Sequence, residues 1–275
     1  MWWRVAPFVA ILVAMMIWES LAPRRERVSD RTKRTINNLL LTVLNSLMLK
    51  LLPLLSAVAA ATWAERVEWG FFHLVDWPFY VEVGVTIVLF DLLIYWQHVA
   101  SHHVPMLWQF HQLHHSDHDL DASSALRFHP VEIAFSMAIK SVGAILLGAA
   151  PIAVLLFEVI LNGCAIFSHS NLNIPLGIDR LLRLLLVTPD MHRIHHSVEQ
   201  DESGSNFGFN MPWWDRFFGT YRAQPRGDQR RLKLGLPDKS DQTAISLIEL
   251  LTFPWKHSAD GCGQPIDAAA TADHQ

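Results

Sequence analysis

The stretch FYVEVGVTIVLFDLLIYWQHVASH, residues 79–102, passes without a break from an apolar run into a pair of histidines. Its apolar part, residues 79–97, is long enough as a helix to span the ~30 Å hydrocarbon core of a bilayer, at about 1.5 Å per residue. His98 and His102 follow four residues apart, which puts both imidazoles on one face of a helix. The stretch predicts a membrane helix that carries two potential metal ligands at its end.

Two further motifs repeat the pattern HxxHH, in which three imidazoles lie on one helical face. Their members are His111, His114, His115, His192, His195 and His196. Together with the first pair they are too numerous for one zinc ion, which usually takes about four ligands. Imidazole suits iron, copper, nickel and zinc. The spacing therefore predicts two adjacent metal ions.

The composition places this chemistry in a membrane. The chain has 275 residues, of which 51% are hydrophobic and 17% are charged, whereas soluble domains average about 25% charged residues. Eleven tryptophans and fifteen phenylalanines are typical of membrane-interface belts. The net charge of −4 gives no indication of a nucleic-acid partner, and the two cysteines form neither a disulfide framework nor a zinc-finger spacing.

Other apolar runs predict about four to five membrane-embedded helices in an all-α fold. Residues 5–21 favour an uncleaved anchor over a signal peptide, because no small-x-small cleavage site follows them. Residues 36–61 form a second run, which Lys50 and Pro53 interrupt. Residues 131–148 and 152–168 form a hairpin around a Gly-Ala-Ala-Pro turn.

The basic segment 24–34 predicts the orientation in the membrane. Segments rich in lysine and arginine beside a span stay in the cytoplasm. The run 36–61 then leads out and the run 79–97 leads back, so every histidine motif reaches the cytoplasmic face, in a helical cap. A second run that re-entered on the same side would break this topology.

The histidine motifs and their flanking residues closely resemble the fatty acid hydroxylase/sterol desaturase superfamily. The resemblance rests on DLLIYWQHVASHHVPMLWQFHQLHHSDHDLDASSALRFHPVE (91–132), FSHSNLNIP (167–175) and TPDMHRIHHSVEQDESGSNFGFNMPWWDRFFGTY (188–221). It implies a helical membrane enzyme whose histidines hold two iron ions. It also implies use of O2, electrons from a separate reductase, ferredoxin or cytochrome, and oxidation of a lipid C–H bond.

The resemblance assigns the candidate ligands residue by residue. His98 and His102 match the first motif of the family. His111, His114 and His115 match its second motif, and His192, His195 and His196 its third. His169, in HSN, matches a further ligand of the family, and His129, in RFHP, is carried as a candidate that is either a ligand or a structural histidine.

Five other histidines are interpreted as residues that bind no metal. His103 points about 100° away from His102 on a helix, and His118 lies among aspartates in a loop. His73 has no second histidine at helical spacing, and His257 lies in the polar tail, as does His274.

Three polar residues are candidates for orienting the ligands. Asp91 and Tyr95 lie two turns and one turn before His98, respectively, on the same helical face. A carboxylate deep in an apolar run is costly, which favours a functional role for Asp91. Helix packing or a lipid headgroup contact is the alternative. Asp190, before His192, is either such a residue or a helix N-cap.

The regions that flank these motifs are interpreted more simply. Asp117 is left open between a partner of the site and a loop residue, whereas Asp119 and Asp121 are expected in a solvated loop. The segment NFGFNMPWWDRFFGTY, residues 206–221, is expected to serve packing. The chain divides into an anchor and interfacial region (1–84), a catalytic domain (85–222) and a polar, partly disordered tail (223–275).

The sequence thus predicts an O2-dependent, di-iron oxidoreductase that hydroxylates a lipid entering from the bilayer, in a bacterial inner membrane. Desaturation by the same class of centre is the alternative. A membrane zinc hydrolase is disfavoured because HExxH is absent. A metal transporter is disfavoured because its ligands should lie near the membrane midplane rather than at helix ends.

Overall fold

The protein is a bundle of α-helices. The computed structural model describes residues 2–52, 55–237 and 246–257, and this part of the chain holds no β-strand, only two isolated bridges. The helices run in the order α1 Trp2–Leu21, α2 Arg31–Leu51, α3 Ala57–Arg66, α4 Phe79–His103, α5 Pro105–His115, α6 Pro130–Leu147, α7 Pro151–His169, α8 Leu176–Leu182, α9 Pro189–His195, α10 Gln200–Ser203, α11 Trp213–Phe218 and α12 Leu247–Lys256.

Three helices are long and apolar enough to cross a membrane, namely α4, α6 and α7. The apolar stretch Val5–Leu21 of α1 is shorter than these three. Leucine, isoleucine and valine side chains on their outer faces are exposed, as expected for contact with lipid. Among the described residues the structure therefore gives three candidate spans, where the sequence predicts four to five.

A tight turn joins α6 to α7 and puts their histidine-bearing ends on the same side. Gly148 ends α6 with φ 64°, a conformation that glycine adopts without strain, and Pro151 begins α7. The backbone of Gly70 packs so closely here that a Cβ on it would overlap the Gly148 backbone nitrogen. This turn therefore marks the end of the bundle opposite the histidines.

The apolar run over residues 36–61 is divided near Pro53, one of the two residues expected to interrupt it. Helix α2 ends at Leu51 and α3 begins at Ala57, and α2 buries a polar face on which Arg34, Asn38 and Asn45 lie. The Asn45 amide donates to the Phe128 carbonyl oxygen at 2.9 Å, close to the start of α6. Since α3 packs farther along the bundle, beside Ala144, the two helices together lead from the histidine end towards the opposite end.

The main apolar core lies between α3, α4, α6 and α7. Its buried members are Ala57, Ala61, Phe90, Ile94, Ala144, Ala149, Val154 and Phe157. The rings of Phe90 and Phe157 meet edge to face with centroids 5.2 Å apart, a favourable arrangement for aromatic pairs. The small alanines let the helices approach closely.

The C-terminal part of the chain returns to the histidine end of the bundle. Leu250 and Phe253 of α12 are buried with Leu41 of α2 and with Trp108 and Leu113 of α5. The described part of the tail is therefore packed rather than wholly polar and solvated. The predicted disorder of the last twenty or so residues lies outside the described residues.

The end of α1 is fastened to two loops beside the histidines. Glu19 is fully buried, and its Oε2 accepts hydrogen bonds from the backbone nitrogens of Ala122 at 3.0 Å and Asn171 at 3.1 Å. Its Oε1 pairs with Arg31 at 2.9 Å. The first helix thereby fixes the two loops that follow α5 and α7.

Candidate metal centre

Nine of the ten predicted ligands come together as two buried groups of imidazoles. Within each group one nitrogen of every ring lies within 4.8 Å of the others. The first group consists of His98, His102, His111, His115 and His195, and the second of His114, His169, His192 and His196. Helix α5 carries His111, His114 and His115 on one face, so its HxxHH motif supplies ligands to both groups.

The first group has two rings whose tautomer follows from their outer contacts. His98 Nδ1 lies 2.7 Å from the Phe207 carbonyl oxygen, and His195 Nδ1 lies 2.8 Å from the Ser205 carbonyl oxygen. A carbonyl oxygen only accepts, so both Nδ1 atoms carry the hydrogen. Both Nε2 atoms then present lone pairs, and they face each other at 3.0 Å.

The second group is built in the same way around His169. Its Nδ1 donates to the Ala165 carbonyl oxygen at 2.7 Å, which leaves a lone pair on Nε2. That Nε2 lies 3.0 Å from His114 Nε2 and 3.1 Å from His192 Nε2. His196 Nε2 is 3.2 Å from His192 Nε2. Four Nε2 atoms thus converge on one point.

The two groups are neighbours. The rings of His115 and His196 stack with centroids 4.4 Å apart, although they belong to different groups. His111 and His114 are 5.5 Å apart across the same boundary, and so are His195 and His196. Two ions bound in the groups would therefore be adjacent.

The donor set fits metal ions. Two imidazole lone pairs that face each other at 3.0 Å, as in His98 and His195, repel unless a cation lies between them. Nitrogens about 2.1 Å from an ion and at right angles to one another are about 3.0 Å apart. His111 Nε2 and His115 Nε2 are buried with no hydrogen-bond partner among the described residues, and leaving such groups unsatisfied is costly.

Burial keeps these imidazoles neutral. It lowers the pKa of His195 to about 3, and neighbouring histidines oppose a positive charge as well. The pKa values of His115 and His196 are also held well below the usual range, first by burial and then by each ring's histidine neighbours. Because only a neutral imidazole binds a metal, the site needs to release no proton from these rings near neutral pH.

Glu132 is a partner of the site that the sequence analysis did not single out. It lies in the first turn of α6, and its Oε1 accepts a hydrogen bond from His111 Nδ1 at 2.6 Å. A carboxylate in this position orients the ring and raises its basicity as a ligand. The only sequence signal is an acidic residue in a first helical turn, which is also common without any such role.

Asp91 and Tyr95 are buried in α4, but they hydrogen-bond to residues 206–221, the closing segment, rather than to a ligand. Asp91 accepts hydrogen bonds from Trp214 Nε1 at 2.8 Å and from the Asn210 nitrogen at 3.3 Å. The Tyr95 hydroxyl lies 3.0 Å from Thr220 Oγ1. The expected contact between Asp91 and an imidazole is thus absent from the hydrogen bonds of the described residues.

Asp190 joins helix α9 to the segment after α1. Its Oδ2 pairs with Arg24 at 2.7 Å, and its Oδ1 pairs with Arg193 on its own helix. The N-cap of α9 is instead Thr188, which accepts from the Met191 nitrogen at 3.4 Å. Asp190 therefore helps to place the helix that carries the third motif without touching its imidazoles.

The expectation of a solvated loop at Asp119 and Asp121 is wrong. Both are buried, together with Asp117, because Arg34 of α2 reaches into the loop. Arg34 pairs with Asp117 Oδ2 at 2.6 Å and with Asp121 Oδ2 at 2.8 Å. Burial alone would raise the pKa of Asp117, but Arg34 and then Arg127 lower it to about 2. Arginine forks of this kind hold carboxylates in a fixed geometry.

His129 lies outside both groups. Its Nδ1 accepts a hydrogen bond from the Val131 nitrogen at 3.2 Å and caps α6, while its Nε2 faces the Leu251 carbonyl oxygen of α12 at 3.2 Å. Since that carbonyl only accepts, Nε2 carries the hydrogen. Both ring nitrogens of His129 are therefore engaged in holding helices.

Replacing His129 by alanine is expected to leave the metal content unchanged and to lower stability. Losing a helix N-cap costs about 1 kcal/mol, and the contact with α12 is lost as well. Elemental analysis and thermal unfolding of the purified variant measure the two effects separately. Loss of a metal ion from this variant would instead make His129 a ligand.

The other predicted non-ligands also lie outside the groups. His103 Nδ1 donates to the Val99 carbonyl oxygen of its own helix at 2.8 Å. His118 packs against Gly235, and His73 packs against Gly148 at the opposite end of the bundle. No group of potential ligands among the described residues includes any of them.

Comparison with known proteins gives relatives of one kind. A family model described as fatty acid hydroxylase matches residues 83–220. The ornithine lipid hydroxylase OlsE of Rhizobium tropici is 28% identical and aligns with 82% of this chain and 69% of its own length. The alkylglycerol monooxygenase of Danio rerio is 28% identical, over 78% of this chain and 47% of its own length.

A third relative is the cholesterol 25-hydroxylase of Rattus norvegicus, which is 26% identical over 60% of this chain and 55% of its own length. The chain thus spans about half the length of the last two proteins. No solved structure matches the chain. The family model covers half of the chain, including all nine clustered histidines, and the chain belongs to the fatty acid hydroxylase family.

Proposed function

We propose that this protein is a membrane-bound di-iron enzyme that uses O2 to hydroxylate a C–H bond of a lipid. The observation that carries the proposal is the pair of adjacent, buried, all-imidazole groups. Together they offer nine nitrogens, five in the first group and four in the second, whereas a single zinc ion usually takes about four. Iron bound there supplies the activation of O2 that oxidation of an unactivated C–H bond requires.

The protein's own contribution is to hold and shield the site. Phe207 and Ser205 carbonyl oxygens and the Glu132 carboxylate fix three ligand rings. The ligand histidines are buried, which excludes water and so protects a reactive centre from side reactions. Phe209 packs against the His98 ring, with centroids 4.9 Å apart, and also against the apolar core of the bundle.

Hydroxylation is favoured over desaturation by the relatives. The three compared proteins are named for an ornithine lipid, an alkylglycerol and cholesterol, and each is named a hydroxylase or monooxygenase. Their substrates share an apolar body and a polar end. A lipid of that chemistry, entering from the bilayer along the apolar helices, is the proposed substrate. Electrons would come from a separate reductase, ferredoxin or cytochrome.

The placement of the basic segment supports a cytoplasmic site in a bacterial inner membrane. Arg24 pairs with Asp190 beside the third histidine motif, and Arg25 donates its backbone nitrogen to Asn171 at 3.0 Å. The basic residues that follow α1 therefore lie at the same end as the histidines, where the charge bias of cytoplasmic loops would put them. With α1 and the α2–α3 pair added to the three spans, four to five membrane-embedded helices are proposed.

The test combines metal analysis with product analysis of the detergent-purified protein. We expect about two iron ions per chain and, with a reductase system and isotopically labelled O2, transfer of one labelled oxygen atom to a lipid from a panel of ornithine lipids, alkylglycerols and sterols. A product that loses two hydrogens and gains no oxygen would favour desaturation. Zinc that persists, with no oxidation after iron reconstitution, would overturn the proposal.

A further inference from the structure

The segment Ser205–Gly208 turns sharply between the two imidazoles that it contacts. Its carbonyl oxygens at Ser205 and Phe207 accept from His195 and His98, which belong to different helices but to the same metal group. Asn206, between them, has φ 56°, a left-handed conformation that is uncommon for a residue other than glycine. This turn presents both carbonyl oxygens to the site.

Asn206 anchors the turn on both sides. Its Nδ2 donates to the Met191 carbonyl oxygen of α9 at 3.0 Å and to the Arg222 carbonyl oxygen at 2.9 Å. Its Oδ1 accepts from the Arg222 nitrogen at 2.8 Å. The side chain is fully buried, so the turn is joined to the ligand-bearing helix as well as to the end of the closing segment.

Asp215 anchors the other half of the turn. It is fully buried, and it accepts from the nitrogens of Phe207 at 2.7 Å and Gly208 at 2.9 Å. It also accepts from Thr220 Oγ1 at 2.7 Å. Thr220 donates its only hydroxyl hydrogen to Asp215. The Tyr95 hydroxyl therefore donates to Thr220 Oγ1, at 3.0 Å. A chain of hydrogen bonds thus runs from α4 through Asp215 to the backbone nitrogen of Phe207, the residue whose carbonyl oxygen accepts from His98.

Among the described residues, only the first metal group is supported by the turn Ser205–Gly208. In the second group, the outer hydrogen bond of His169 goes to a carbonyl oxygen within α7 itself. The Nδ1 atoms of His114, His192 and His196 have no hydrogen-bond partner among the described residues. The closing segment therefore bears on the two groups unequally.

We propose that Asn206 and Asp215 are positioning residues that fix the tautomers of His98 and His195 and so control metal binding in the first group selectively. The inference rests on the metal-binding part of the proposed function. It assigns a role in the site to a segment whose sequence favours packing. Loss of outer hydrogen-bond partners typically weakens metal binding by about 10- to 100-fold, and we expect a loss in that range for the first group alone.

The experiment places Asp215→Asn in two backgrounds that each disable one group. In the His196→Ala background the metal is held by the first group, and Asp215→Asn should speed its loss to a chelator by about 10- to 100-fold. In the His115→Ala background the metal is held by the second group, and the same substitution should leave the rate unchanged. Equal loss in both backgrounds, or none in either, would overturn the inference.

Two further variants separate positioning from folding. Asn206→Gly keeps the left-handed turn without strain but removes its anchoring side chain, and it should repeat the selective loss. Trp214→Phe removes the hydrogen bond from Trp214 to Asp91, which fastens the same segment to α4 but leads to no ligand; its metal retention should match the parent. If Trp214→Phe showed the same selective loss of metal as Asn206→Gly, both substitutions would act by loosening the closing segment in general, and the inference would be wrong. A parent chain that binds no metal would refute the proposed function instead.

Discussion

His115→Ala and His196→Ala are each expected to lose about one of two metal ions per chain and nearly all oxidation activity. The two rings stack across the boundary between the groups, with centroids 4.4 Å apart. Changing an outer partner of a ligand already costs about 10- to 100-fold in metal affinity, so removing the ligand itself should cost more than about 100-fold. Elemental analysis and chelator competition on the purified variants measure this loss.

His103→Ala is the matched control for these ligand variants. It removes an imidazole one residue from His102, but that ring bonds to its own helix and lies in neither group. Its metal content and activity should equal those of the parent chain. Equal metal loss in His103→Ala and His115→Ala would contradict the assignment of His115, and not His103, as a metal ligand.

Arg34→Met is expected to destabilise the protein by about 3–5 kcal/mol. The substitution leaves Asp117 and Asp121 buried without their closest countercharge, and breaking one partner of a buried ion pair has a cost of that order. Thermal or denaturant unfolding in detergent measures the change. Adding Asp117→Asn should recover part of the loss, because it removes one uncompensated carboxylate.

Lys33→Met provides the comparison on the same helix. Lys33 lies 4.0 Å from Asp30, and the two side chains are 68% and 51% exposed, whereas that of Arg34 is 1% exposed. An ion pair open to solvent contributes about 0–1 kcal/mol. If Arg34→Met unfolded under the same conditions as Lys33→Met, the buried ion pairs of Arg34 would contribute no more to stability than an exposed pair.

Most of the clustered histidines can be predicted from the sequence because their spacing is a local pattern. Positions i, i+3 and i+4 share a helical face in any helix, so the HxxHH motifs could be proposed without knowing the fold, whereas His169 is expected only from the family resemblance. Their outer partners could not be proposed in the same way. The acceptors from His98 and His195 are backbone carbonyl oxygens, which every residue carries, and only the tertiary path of the closing segment selects two of them.

Charge patterns along the chain do not show which residues pair when the partners are distant in sequence. The sequence pattern places Arg34 in a basic loop beside a membrane span and Asp121 in a solvated acidic loop. Their pairing joins positions 87 residues apart and buries both. Likewise, His129 occupies a position typical of the family, but its two ring nitrogens hydrogen-bond to the backbone of Val131 and Leu251. Neither outcome is visible in local spacing.

The unequal spread of the two metal groups along the chain has a consequence for biosynthesis. Four of the five ligands in the first group lie on α4 and α5, between His98 and His115, whereas the second group draws its ligands from positions 114 to 196. Contacts near in sequence have less loop-closure entropy to overcome than distant ones. A nascent chain that has emerged as far as α5 already holds four of the five ligands of the first group but only His114 of the second. The remaining ligands of the second group follow with α7 and α9, so we expect the first group to bind an ion earlier than the second during synthesis.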